Sequence, residues 1–152
     1  MSPAQSCSGC AEPSGQAVIM VLPPRSGMPL HFGISIISAD KDKIVGEMQA
    51  DERHLNAFGI LHGGALMAFG DELGGLGSRF HIPPDTRTAT IESKTNFFRS
   101  CSPGRVTGES VPLHVGRRML VWQTSIYDPD GKRVADPARV AAGAGHADRV
   151  TR

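Results

Sequence analysis

The residue best placed to do chemistry in this chain is Asp71, because of what surrounds it. Between Gly63 and Gly77 there are six glycines, at 63, 64, 70, 74, 75 and 77, and each interior one costs a helix about 1 kcal/mol relative to alanine. Projected at about 100° per residue, Leu66, Phe69, Leu73, Leu76 and Phe80 form one apolar stripe. Asp71 lies nearly opposite, sharing its face with Gly64, Met67, Gly74, Gly75 and Ser78. An aspartate on a polar helix face ordinarily points to water. A solvated face, however, normally carries Lys, Glu, Arg or Ala, whereas glycines mark close approach by a ligand or another backbone. Asp71 is therefore expected in a narrow, partly dry crevice, where a carboxylate can serve as base or nucleophile. Its neighbour Glu72, in line with Ala65 and Arg79, reads as a surface ion-pair member.

At the start of the same segment, His62-Gly63-Gly64 supplies amides with no partner inside a helix, at the end where the macrodipole adds positive charge. Without a Cβ in the way, a carbonyl oxygen can approach, and charge developing on it meets preorganised donors. A glycine pair at a helix start is by itself a common turn device. Asp71, nine residues after His62, is what turns it into half of a candidate site.

These groups require a long helix and something to hold it. The pattern predicts a helix over 62–80, stopped by His81-Ile82-Pro83-Pro84. Before it, 31–39 and 43–50 read as strands of a hairpin about the polar turn 39–42, followed by an irregular connection over 51–59. After it, 86–98, 105–115, 118–127 and 132–142 read as strands, the last two joined by the turn Asp128-Pro129-Asp130-Gly131. Short links make antiparallel pairing of these four the natural outcome. One helix cannot cover both faces of six strands, so the order predicts an α+β fold: a curved antiparallel sheet wrapped around the helix. Its uncovered edge and outer face suggest a dimer.

The whole-chain figures exclude several other classes. A length of 152 residues suits one domain, read as a flexible extension over 1–27, a folded unit over 28–142 and a tail over 143–152. A formal net charge of +1 lacks the basic excess that nucleic-acid binding requires, and no apolar run approaches the ~20 residues that span a bilayer. The N-terminus lacks the basic and apolar regions of a secretory signal, which points to the cytoplasm. Three cysteines make no complete disulfide framework. Cys7 and Cys10 form one CxxC without the second pair a structural zinc would use, and read as incidental thiols. His31, His54, His81, His114 and His146 lack metal-ligand spacing and read as surface or half-buried. There is no G-x-S-x-G elbow.

The string from Asn56 to Asp71, N-x-x-G-x-x-H-G-G with an acid seven residues after the second glycine, resembles the signature of the hot-dog-fold acyl-CoA thioesterases, in particular the phenylacetic-acid-degradation and 4-hydroxybenzoyl-CoA thioesterase branch. The strand order agrees with that fold from about residue 28 to 142. The resemblance implies that Asp71 activates water or attacks the thioester carbonyl, and that Gly63 donates its N–H to the thioester oxygen. It further implies that Asn56 helps to position water or the carboxylate, that His62 is the family's histidine, and that Thr90 supplies an assisting hydroxyl, with Thr88 as the alternative. It also implies a homodimer or homotetramer in which Asp71 and Thr90 of one subunit face Asn56, His62 and Gly63 of another. The final strand departs from the family pattern over Ala138–Gly143, as does Ser100 from a usual proline, and neither departure is expected to touch the chemistry.

A thioester is already activated, so a carboxylate and an oxyanion hole suffice without metal or cofactor, coenzyme A being part of the substrate. Phe58, Leu61 and Met67, with Gly64, are expected to line a site for an aromatic or medium-chain acyl group. Arg99, Arg105, Arg117 and Arg118, at strand ends, are the expected neighbours of coenzyme A phosphates. A non-catalytic acyl-CoA sensor and a hydroxyacyl-thioester dehydratase are the rival readings; Asp71 speaks against the first, since binding alone gains nothing from an acid beside the thioester.

Overall fold

Two aspartates close the hairpin turns. Asp40 accepts the N–H groups of Asp42 and Lys43 through Oδ1 at 2.7 and 2.8 Å, and Asp128 accepts those of Asp130 and Lys132 at 3.0 and 2.8 Å. Such side chains replace backbone partners that a tight turn leaves unbonded. The computed structural model describes residues 26–144. In chain order these form α1 (Gly27–His31), β1 (Ile34–Ala39), β2 (Ile44–Ala50), a 3-10 turn (Glu52–His54), α2 (Gly63–Arg79), β3 (Arg87–Phe97), β4 (Gly104–Val115), β5 (Met119–Tyr127) and β6 (Arg133–Ala144). The predicted helix and all six predicted strands are present, with ends displaced by three residues or fewer.

The strands make one antiparallel sheet in the order β1-β2-β4-β5-β6-β3, against which α2 packs. This is the hot-dog arrangement. Phe69 and Leu73, fully buried on α2, meet Ile44, Met48, Val106, Trp122 and Ile126 of the sheet in one core. Gly46 and Gly108 are opposite one another in the β2–β4 ladder. A Cβ at Gly46 would stand 2.6 Å from Leu73, and one at Gly108 2.8 Å from both Leu73 and Phe69. The paired glycines form the dent into which the helix presses.

Short links lead to β4-β5-β6 pairing in succession, but β3 does not lie beside β4. The chain crosses after Phe97, and β3 pairs instead with β6, from Arg87↔Ala144 to Phe97↔Ala135. β3 is thus an edge strand, eleven residues long, with Ile91 and Phe97 exposed.

Three further differences have local causes. The connection 51–59 contains the 3-10 turn, fixed by a capping box in which Asp51 accepts from Arg53 and His54 Nδ1 accepts from the Asp51 N–H. His54 is consequently buried, not surface or half-buried. β6 continues through Gly143 and Ala144, past the expected limit at 142, because both pair with β3. The CxxC of Cys7 and Cys10, His146, and most of the expected extension and tail lie outside the described residues.

Candidate active site

The segment before α2 is a closed turn. The Asn56 N–H bonds the Ile60 carbonyl at 2.8 Å, the Asn56 Oδ1 accepts the Phe58 N–H at 2.9 Å, and Gly59 takes a left-handed φ of 74°. Phe58 is thereby turned outward and is 88% exposed, while Leu61 enters the core and donates its N–H to the Cys101 carbonyl. His62 is the N-cap of α2. Its Nδ1 accepts the Gly64 N–H at 2.9 Å, and its carbonyl accepts that of Ala65. Gly64's amide is therefore satisfied internally, and Gly63 is left as the open donor: its N–H bonds nothing among the described residues. The ring of Phe97, from the end of β3, lies against Gly63, where a Cβ would come within 3.0 Å of it.

Asp71 lies two turns further along. Its Oδ1 accepts from Arg139 Nε at 3.0 Å and from Thr90 Oγ1 at 3.4 Å, and the same Nε is 3.2 Å from Thr90 Oγ1. Its Oδ2 has no partner among the described residues, and the side chain is 38% exposed. Arg139 comes from the middle of β6 and is 5% exposed. Its Nη1 reaches Ser78 Oγ at 3.1 Å, and Ser78 donates in turn to the Gly74 carbonyl. The carboxylate is thus held on one oxygen and open on the other, a geometry suited to taking a proton from water.

The structure brings Asp71 and Thr90 together, and separately places Asn56, His62, Gly63 and Gly64 at the helix tip. It does not bring the two groups together within one chain. Eight residues at 1.5 Å rise separate Gly63 from Asp71 by about 12 Å along the helix. Met67 is half-buried between them. Arg99, Arg117 and Arg118 are exposed and make no ion pair among the described residues, and Arg105 lies 3.9 Å from Glu47.

Three glycines of α2 face side chains of the sheet, and one of them, Gly74, was expected on the open face with Asp71. Gly70 abuts Pro137, and Gly77 lies under the ring of Trp122, where added Cβ atoms would be 2.4 and 2.5 Å from side-chain carbons. Gly74 is buried against Trp122 and Arg139. These glycines admit sheet side chains, not a ligand. Glu72 is not a surface ion-pair member: among the described residues it has no salt bridge, it is partly buried, and desolvation followed by repulsion from Asp71 raises its pKa. Burial, with Asp128 adding to it, pushes the Cys101 thiol up to about 11, which leaves it a poor nucleophile.

Two site residues escaped the sequence reading. Phe97 had no signal beyond its place in a strand. Arg139 lies within Ala138–Gly143, the departure expected to leave the chemistry untouched, and is the residue that binds the carboxylate. An arginine set among the small and apolar residues Pro137, Ala138, Val140, Ala141 and Ala142 was the available cue.

The fold is that of the hot-dog proteins. The chain belongs to the thioesterase superfamily, whose profile matches residues 58–135. Among its relatives, the proofreading thioesterase EntH of Klebsiella pneumoniae is 33% identical over 106 residues, covering 70% of this chain and 77% of the relative. The 1,4-dihydroxy-2-naphthoyl-CoA hydrolase of Escherichia coli is 34% identical over 91 residues, 60% of this chain and 67% of the relative. The crystal structure of a Haemophilus influenzae thioesterase superposes with a TM-score of 0.75 at 25% identity, covering 81% of this chain and 86% of that one.

Proposed function

We propose that the protein hydrolyses acyl-CoA thioesters, with Asp71 as the base or nucleophile and the Gly63 amide as oxyanion donor. The observation that carries this reading is the Asp71 carboxylate, anchored through Oδ1 and free at Oδ2. Because the free amide is about 12 Å away on the same helix, we assign each catalytic centre to two copies of the chain. Asp71 and Thr90 come from one copy, and Asn56, His62 and Gly63 from the other. The bare edge of β3, carrying Ile91 next to Thr90 and Phe97 at the end beside Gly63, supports that assembly.

The reaction needs no metal or cofactor, since the thioester is activated already. Phe58 and Met67 are available to an acyl group, and an aromatic one agrees with the substrate in the name of the Escherichia coli relative. Leu61, from within the core, contributes only a wall. The exposed Arg99, Arg117 and Arg118 are assigned to the coenzyme A phosphates. Among the described residues no helix is long and apolar enough to cross a membrane, and an acyl-CoA substrate agrees with a cytoplasmic protein.

Thiol release from a panel of aromatic and straight-chain acyl-CoAs tests the reading. Wild type should turn over, and Asp71→Asn should lose at least ~100-fold in rate while still binding, as expected on removing a base. Equal rates in the two proteins would overturn the mechanism. Binding without turnover by wild type would favour a sensor.

A further inference from the structure

Arg139 poses a question that folding does not answer. A guanidinium stays charged at any pH a protein experiences, and burying it is costly unless paired; an apolar side chain of similar volume commonly serves stability as well. Yet the helix is shaped to receive it. Gly74 leaves space beside its Cδ, where a Cβ would be 3.3 Å away. Ser78, fully buried, accepts from Nη1. Two positions of one helix face, Gly74 and Ser78, are therefore given to a single side chain from β6. That side chain spends its Nε on Asp71 Oδ1 and Thr90 Oγ1.

We propose that Arg139 is a positioning residue for the catalytic carboxylate: it clamps Oδ1 of Asp71 from inside the sheet so that Oδ2 alone faces the reacting water or thioester carbonyl. This rests on the assignment of Asp71 above. Ser78 fixes the far end of the guanidinium, so rotation of the fork is restrained at both ends. Thr90 shares the Nε contact, which ties the hydroxyl and the carboxylate to one donor. Arg139 itself touches no substrate, and its effect passes through Asp71.

Steady-state kinetics on the full chain decide this. In Arg139→Met, kcat should fall about 10- to 100-fold with KM within about threefold, the scale expected when a catalytic group loses its orientation. Arg139→Lys should recover part of the loss. In an Asp71→Asn background neither substitution should lower the residual rate further, because the group being positioned is gone. If Arg139→Met does not fold, the Arg139→Lys loss compared between the two backgrounds carries the test. A kcat unchanged by either substitution in folded protein, or an equal fractional loss in both backgrounds, would overturn the proposal. Failure of Asp71→Asn to impair the wild-type chain would overturn the underlying assignment instead.

Discussion

Gly63 occupies the first position of α2, with a free N–H and an extended residue, His62 (φ −68°, ψ 133°), before it. Proline suits both conditions: its fixed φ matches a first helical position, and it removes only a donor the helix does not use. Gly63→Pro should therefore keep α2, as read by circular dichroism, and lose about 10²–10³ in kcat relative to Gly63→Ala, which brings the same Cβ against Phe97 but keeps the N–H, the usual consequence of deleting one oxyanion donor. Retained turnover would remove Gly63 from the mechanism. Of the proposed site, Asn56, His62, Gly63 and Asp71 were legible because they are local, falling within sixteen consecutive residues. Arg139 was not, since its meeting with Asp71 across 68 positions depends on which strand lies under the helix.

At the scale of the element, α2 contains glycines of two kinds, although they look alike in sequence. Gly77 is pressed on the fully buried Trp122 ring, three of whose atoms would be 2.5–2.7 Å from an added Cβ. Gly75 would meet nothing closer than 3.8 Å. Gly77→Ala should therefore destabilise by at least about 1–3 kcal/mol through overpacking. Gly75→Ala should stabilise by about 0.5–1 kcal/mol through helix propensity and reduced unfolded-state entropy. Urea titration of the two variants measures both, and shifts of the same sign would contradict the packing described. The 3.6-residue period located α2 within one residue at each end and identified Leu66, Phe69 and Leu73 as core. It could not show that side chains of the sheet fill the grooves beside this stripe, because that depends on partners such as Trp122 and Pro137 supplied by β5 and β6. The place of β3 at the sheet edge was hidden for the same reason: link length limits which strands can pair without choosing among them.

For the molecule as a whole, the spacing between Gly63 and Asp71 on one rigid helix has a consequence that can be tested with two inactive proteins. If every working centre draws its carboxylate from one chain and its amide from another, then Gly63→Pro and Asp71→Asn chains each lack a different half. Unfolded together in equal amounts and refolded, they should form hybrids in half of the pairs, each with one sound centre and one doubly defective. The mixture should then regain about one quarter of wild-type turnover from two preparations that are separately dead, as expected for random assortment in a twofold dimer. A centre contained within one chain would show no such complementation.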